Sequence, residues 1–162
     1  MMSVVLPVVH LSFVCTGNIC RSPMAAIVVR EHLRREGLDE VEVSSAGTGS
    51  WHVGDAADPR AQKVLLDHGY QSAHVAAQVG TEHLDADLLL AMDSGHADDL
   101  RGMVGDPSRI RLFRSFDPAA TGDLDVPDPY YGGNDGFVIV LGMIEAATPG
   151  LAGWVKDELG RA

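Results

Sequence analysis

Residues 14–23 read Val14-Cys15-Thr16-Gly17-Asn18-Ile19-Cys20-Arg21-Ser22-Pro23, and they join an apolar run to a helical pattern. The upstream run, residues 8–14, predicts a buried strand that carries Cys15 to the edge of a sheet. The downstream run from Met24 to Arg35 predicts a helix, with Pro23 suited to its first turn. This order of strand, loop and helix places a cysteine and an arginine around the N-terminus of a helix.

The loop has the composition of a site for an oxyanion. A helix N-terminus carries unpaired N–H groups and a partial positive charge, so it attracts anions. Gly17 and Asn18 tolerate left-handed backbone angles, which lets successive amides point inward as a nest. Arg21 can hold two phosphoryl oxygens, and together with the helix terminus it favours Cys15 as a thiolate, the attacking form. Ser22 is placed to donate to that sulfur. The alternative is a small core cysteine and an unrelated surface arginine.

Length and charge limit the classes of protein that this chain can represent. Its 162 residues suit one domain, residues 1–162, with a single core. The net charge of -11 disfavours nonspecific binding to nucleic acid or to anionic membranes. No run is expected to span a bilayer, and Met1 to Val14 is interpreted as the first strand rather than a signal peptide. Two closely spaced cysteines favour a reducing, cytoplasmic location, although unconventional secretion would leave no mark in the sequence.

Strand and helix patterns alternate along the chain. Further strands are predicted at residues 41–44, 87–92 and 109–113. Further helices are predicted at 59–67 with Asp58 as cap, at about 94–100 with Asp93 or Ser94 as cap, and from about 136 with Asn134 or Asp135 as cap and a bend near Pro149. The alternation predicts an α/β fold, a parallel sheet covered by helices on both faces, with ligands at its carboxyl edge.

A second unusual segment surrounds Asp128. Pro127 and Pro129 flank this carboxylate and restrict the directions in which it can point. A thiolate that attacks a phosphate ester needs an acid for the departing oxygen and then a base for the attacking water, and one carboxyl can serve both steps. The alternative is an ordinary acidic turn. Tyr130 and Tyr131 are either loop anchors or a wall that grips an aromatic ring.

Three motifs together resemble the low-molecular-weight protein tyrosine phosphatases, in order and across nearly the whole chain. They are the loop from Cys15 to Pro23, the turn Ser45-Ala46-Gly47-Thr48 followed by Trp51, and Asp128-Pro129-Tyr130-Tyr131-Gly132. The resemblance implies a four-stranded parallel sheet with helices on both sides, with no metal and no cofactor. It assigns Cys15 as nucleophile, Arg21 as phosphate clamp, and Asp128 as general acid and then base.

The same resemblance implies the remaining site residues. Those expected to bind substrate are Thr16, Gly17, Asn18, Ile19, Cys20, Ser22, Trp51, Tyr130 and Tyr131. Ser45 and His74 match positions that brace the asparagine of the loop from behind. Cys20 is expected to form a reversible disulfide with Cys15 under oxidation, and the alternative is a buried spacer thiol. The run Trp51-His52-Val53-Gly54 is similar to bacterial members of actinomycete type.

The expected substrates are phosphotyrosine proteins or peptides, with phosphate as product and inhibitor. Ile19, Trp51 and Tyr130 or Tyr131 would wall a slot for a phenyl ring. A related branch resembles protein-arginine phosphatases and carries threonine where this chain has Ile19. An apolar side chain at this position would leave a guanidinium without a polar partner, so Ile19 favours an aromatic substrate. Phosphoarginine and small aryl phosphates remain the alternative.

Other classes of function fit the sequence less well. Arsenate reductases of this fold need further cysteines to relay a disulfide, and this chain has only two, which disfavours that activity. A phosphotyrosine-binding module would not need Asp128, and a thiol redox sensor would not need Arg21. The seven histidines show no metal-ligand spacing and are interpreted as surface or core residues.

Overall fold

A computed structural model describes residues 9–160, so the predictions for residues 1–8 and for the two last residues lie outside the described range. The strands are β1 (Val9–Cys15), β2 (Val41–Gly47), β3 (Leu88–Ala91) and β4 (Ile110–Leu112). The helices are α1 (Arg21–Arg35), α2 (Pro59–Asp67), α3 (Thr81–Leu84), α4 (Ser94–Arg101) and α5 (Asn134–Glu158). The strands form one parallel sheet in the order β2-β1-β3-β4, which confirms the predicted fold class.

The strand register brings the candidate functional residues to one edge. Cys15, the last residue of β1, lies opposite Gly47 at the end of β2. On the other side of β1, Val14 lies opposite Ala91 at the end of β3. Because the strands are parallel, the segments that follow them emerge at the same carboxyl edge.

The central strands β1 and β3 are largely buried on both faces, and alternate residues of each strand face opposite ways. Leu11 and Phe13 face a core formed with α1, α2 and α5, and the Phe13 ring meets Phe113 edge to face at 5.2 Å. Val14 and Leu89 face a smaller core on the side of α4. A fully buried side chain of this size contributes roughly 2 kcal/mol to folding, so the two cores hold β1 from both sides.

Some element boundaries differ from the predicted ones. Helix α1 begins at Arg21 rather than Met24, which places the arginine inside the first helical turn. Strand β4 ends before Phe113, where a 3-10 turn begins, and Gly133 rather than Asn134 or Asp135 caps α5. The four-residue helix α3 was not predicted, because it is shorter than one hydrophobic repeat.

The last helix corrects one expectation about membranes. Residues Asp135–Glu158 are long and apolar enough to cross a bilayer by length and composition, so the expectation that no run has these properties is wrong. In this fold the apolar residues Phe137, Leu141 and Ile144 are fully buried in the main core, as expected for a core helix of a globular domain. Pro149 lies within the helix, which continues without interruption to Glu158.

Candidate active site

The loop between β1 and α1 has its carbonyl groups held from outside. Thr48 N donates to the Cys15 carbonyl at 2.9 Å, Gly49 N to that of Thr16 at 2.9 Å, and His74 Nε2 to that of Asn18 at 2.6 Å. The described chain has no cis peptide bond, and in a trans peptide the C=O and N–H point in opposite directions. The N–H groups that follow these three carbonyls are therefore directed to the other side of the loop, toward the cavity.

Asn18 fixes the shape of the loop. Its φ of 57° is in the left-handed region, which a short polar side chain tolerates better than most. The buried side chain donates to Ser22 Oγ at 2.8 Å and to Ser45 Oγ at 3.0 Å. Its oxygen accepts from the Ala77 backbone N–H at 2.9 Å. The structure therefore places both Ser45 and His74 against Asn18, where the resemblance puts them.

The sulfur of Cys15 lies 2.8 Å from Ser22 Oγ. Because Asn18 already donates to that oxygen, the hydroxyl hydrogen of Ser22 is free for the sulfur, and we assign Ser22 as the donor. A hydroxyl that donates to sulfur stabilises negative charge there. Cys15, Ser22 and Asn18 thus form one chain of hydrogen bonds beneath the loop.

Arg21 is almost fully buried and faces two carboxylates. Its Nη1 donates to Asp93 Oδ2 at 2.8 Å and to the Val126 carbonyl at 3.0 Å, and its Nη2 lies 3.6 Å from Asp128 Oδ2. Burial alone would raise the pKa of the Asp93 carboxyl, but hydrogen bonds from Arg21 and from the His96 backbone N–H outweigh it and lower that pKa. A buried cation with an ionised partner keeps a defined position, which a phosphate clamp requires.

Asp128 stands at the mouth of the site. Its Oδ1 accepts from the Tyr130 backbone N–H at 3.0 Å, and its side chain is 39% exposed. The neighbouring tyrosines leave this carboxyl open to solvent. The Tyr130 ring lies instead beside the Arg60 guanidinium, 5.4 Å from the ring centre, and Tyr131 points outward.

These groups surround a cavity of about 430 Å³. Its lining contains all three residues predicted to be catalytic and most of those predicted to bind substrate: Cys15, Thr16, Gly17, Ile19, Cys20, Arg21, Trp51, Asp128, Tyr130 and Tyr131. His52 also lines the cavity, and the sequence did not assign it to the site. The cavity does not include Asn18 and Ser22, which lie fully buried behind the loop. Trp51 is 76% exposed and Tyr131 88%, so the outer wall consists of exposed aromatic rings.

Cys20 differs from Cys15 although both are buried free thiols. Burial, followed by the nearby Asp58 carboxylate, raises the pKa of the Cys20 thiol to about 12. Cys20 therefore remains protonated at neutral pH and is a poor nucleophile in this state. The disulfide with Cys15 that the resemblance implies stays a prediction.

The sequence did not single out His96, and it identified Asp93 only as a helix cap. His96 is buried and its Nε2 lies 2.8 Å from Thr16 Oγ1, while Asp93 pairs with Arg21. One signal was available, since both residues follow a predicted strand of a parallel sheet, and the segments after such strands emerge at its carboxyl edge. Within residues 9–160, no group of three or more His, Cys, Asp or Glu side chains is placed to hold a metal ion.

The sequence of this chain matches that of a known protein family. A sequence model described as low molecular weight phosphotyrosine protein phosphatase matches residues 10–161. The chain belongs to this family. It is 56% identical over 154 residues to low molecular weight protein-tyrosine phosphatase A of Mycobacterium tuberculosis, covering 94% of each chain. It is 53% identical over 157 residues to the low molecular weight protein-tyrosine-phosphatase of Streptomyces coelicolor, covering 93% of this chain and 96% of the relative.

Solved structures of the phosphatase family share the fold. A protein tyrosine phosphatase of Entamoeba histolytica, with Hepes in its active site, superposes with a TM-score of 0.86 at 35% identity, covering 94% of this chain and 98% of that one. The YwlE arginine phosphatase, as a cysteine-to-serine mutant with a phosphorylated active-site serine, superposes with a TM-score of 0.81 at 32% identity, covering 91% and 95%. Members of this fold thus include phosphatases for two different amino acids.

Proposed function

We propose that this protein hydrolyses phosphotyrosine in proteins or peptides through a cysteinyl-phosphate intermediate. The observation that carries the proposal is the meeting of Cys15, Arg21 and Asp128 in one cavity with apolar and aromatic walls. The family and the tyrosine phosphatases among its relatives support the same reaction.

In the first step the Cys15 thiolate attacks phosphorus and the P–O bond to the tyrosine breaks. Arg21 and the inward-facing amides hold the equatorial oxygens, where charge is concentrated in the transition state. The protonated carboxyl of Asp128 gives its proton to the departing phenolic oxygen. Asp128 is suited to this, because it lines the same cavity as Cys15 and is 39% exposed at the mouth where the leaving group sits.

In the second step the Asp128 carboxylate takes a proton from a water molecule, and the oxygen of that water attacks phosphorus. The S–P bond breaks, inorganic phosphate leaves, and the electron pair returns to the Cys15 sulfur. Ser22 stabilises the departing thiolate through the hydrogen bond that it donates, with a separation of 2.8 Å. The protonated carboxyl of Asp128 and the thiolate of Cys15 are therefore both regenerated after each turnover.

The walls of the cavity favour an aromatic ester. Ile19 is only 8% exposed and forms the inner apolar surface, while Trp51 and Tyr131 stand further out. A phenyl ring can lie between them and still place its phosphate on the loop. An aliphatic phosphoserine is shorter and would not reach Cys15 with its backbone outside the rim.

Hydrolysis of aryl phosphates without added metal tests the proposal. We expect Cys15→Ser to abolish turnover, because the hydroxyl is a far weaker nucleophile than the thiolate. Asp128→Asn should lower kcat by about 10²–10⁴-fold for a leaving group as basic as tyrosine, and by much less for an activated nitrophenyl ester. Asp123→Asn, an exposed carboxylate in the same loop, is the matched control and should keep wild-type activity. Equal rates for the wild type and Cys15→Ser would refute the mechanism.

Phosphoarginine is the second candidate substrate, supported by the arginine phosphatase that shares the fold. Ile19 disfavours phosphoarginine as a substrate, since its apolar side chain offers no hydrogen-bond acceptor to a guanidinium. Peptides that differ only in phosphotyrosine or phosphoarginine would separate the two. We expect a higher kcat/KM for phosphotyrosine, and Ile19→Thr should shift the ratio toward phosphoarginine.

We also propose that the enzyme acts in the cytoplasm, because the reaction requires Cys15 to stay reduced. Immunoblots of washed cell fractions would test this location, and we expect the protein in the cytoplasmic fraction.

A further inference from the structure

The beginning of α4 is connected to both ends of the phosphate loop. Asp93 accepts from Arg21 through Oδ2 at 2.8 Å and from the His96 backbone N–H through Oδ1 at 3.0 Å. The His96 ring then reaches the other end of the loop, with Nε2 2.8 Å from Thr16 Oγ1. Thr16 directly follows the nucleophile and Arg21 closes the loop. One buried imidazole and one carboxylate therefore link the two ends.

The direction of the hydrogen bond between His96 and Thr16 follows from the surroundings of the ring. Burial lowers the pKa of His96, so the imidazole is neutral at neutral pH and carries one N–H. Its Nδ1 lies 3.1 Å from Asp93 Oδ1, but the two atoms are not aligned well enough to form a hydrogen bond. A lone pair on Nδ1 would repel the carboxylate, so we assign the hydrogen to Nδ1. Nε2 then accepts from the Thr16 hydroxyl.

Thr16 is thereby held from two sides. Gly49 N binds its carbonyl oxygen at 2.9 Å, and His96 binds its hydroxyl at 2.8 Å. The carbonyl of Thr16 and the N–H of Gly17 belong to one rigid peptide plane, so fixing the first directs the second. Thr16 itself is exposed, and a side chain at the surface has no comparable restraint from packing.

We propose that His96 is a positioning residue for phosphate binding, which acts by holding Thr16 and with it the amide that follows. His96 touches no reacting atom in this role. The inference rests on the proposed function, since it assigns the oxygens of a phosphoryl group to the amides of the loop. A purely structural histidine would affect stability without changing the affinity for the anion.

Calorimetric titration with inorganic phosphate tests the inference independently of turnover. We expect His96→Ala to weaken phosphate binding about tenfold, the size of one hydrogen bond's net contribution. With 4-nitrophenyl phosphate, KM should rise in parallel. His96→Gln should restore most of the affinity, because its amide extends toward the position of Nε2. His83→Gln is the control, since His83 is similarly buried but lies on α3, and it should leave phosphate affinity unchanged at a comparable loss in Tm.

A double-mutant comparison shows whether His96 acts through Thr16. In the isosteric Thr16→Val background, His96→Ala should cost much less affinity than in the wild type. Equal losses in both backgrounds, or a His96→Ala protein that binds phosphate as the wild type does, would overturn the inference. If the wild type bound phosphate but hydrolysed no aryl phosphate, the proposed function would fail, and the calorimetric comparison would still decide the role of His96.

Discussion

Replacing Asn18 by alanine would remove the side chain that holds the phosphate loop in shape. The substitution deletes the hydrogen bonds to Ser22 at 2.8 Å and Ser45 at 3.0 Å, and the one accepted from Ala77 at 2.9 Å. It also leaves a residue with a Cβ but no compensating polar group at a φ of 57°. Both effects act on the folded state.

The expected loss of stability is the sum of the lost hydrogen bonds and the backbone strain. The three hydrogen bonds, one of them buried and two partly buried, contribute about 3 kcal/mol in total, at about 1 kcal/mol each. A left-handed backbone conformation costs alanine about 1 kcal/mol more. We therefore expect the free energy of unfolding to fall by about 4 kcal/mol, a large part of the roughly 5–15 kcal/mol typical of a domain.

Urea denaturation of two further variants separates the loss of hydrogen bonds from the cost of the left-handed backbone conformation. Asn18→Gly loses the same three hydrogen bonds but adopts positive φ without strain, so it should be about 1 kcal/mol more stable than Asn18→Ala. Ser45→Ala, which removes a single one of the bonds, should cost about 1 kcal/mol. An Asn18→Ala protein at least as stable as Asn18→Gly would refute the role assigned to the backbone angle. A loss no larger than that of Ser45→Ala would refute the sum of hydrogen bonds.

Other parts of the site give three further predictions. Gly47→Ala would place a Cβ 2.6 Å from the Thr16 carbonyl oxygen, so the backbone must shift, and we expect weaker phosphate binding by calorimetry; unchanged affinity would contradict the contact. Because burial raises the pKa of Cys20 to about 12, iodoacetamide at neutral pH should label Cys15 and spare Cys20 in peptide mass spectra. The pKa of the Asp58 carboxyl is lowered, chiefly by the Arg60 side chain, so its contribution is present above the ordinary value of 3.8 and is lost as pH falls through the folded pKa. Asp58→Asn should thus lower stability by about 1 kcal/mol at pH 7, and thermal unfolding should show the difference closing below pH 3.8.

Local signals in the sequence were sufficient for most of the fold. The apolar run before Cys15, the proline after Ser22 and the Asp58 cap all act within a few residues of their effects, so strand, loop and helix could be placed. The start of α1 was harder to predict, because Arg21 precedes the apolar periodicity that marks the helix in the sequence. Its place in the first turn depends on the phosphate loop that precedes it.

The partners of the loop could be predicted only in part. Asp93 and His96 lie more than 70 residues from the loop, at separations of 72 and 80 residues from Arg21 and Thr16. Their contacts follow from the pairing of β1 with β3, which the alternating pattern does not specify. The exposure of Asp128 likewise depends on where the rings of Tyr130 and Tyr131 turn, and a proline-restricted backbone does not determine that.

The connection between α2 and α3 contains none of the reacting groups, yet His74 and Ala77 within it support Asn18 through hydrogen bonds of 2.6 and 2.9 Å. Val75, between these two anchors, is 71% exposed. A protease nick or a bulky graft at Val75 would therefore disable turnover while the sheet kept its secondary structure. Val75 is therefore a position outside the substrate cleft at which a modification would stop turnover by changing the shape of the phosphate loop.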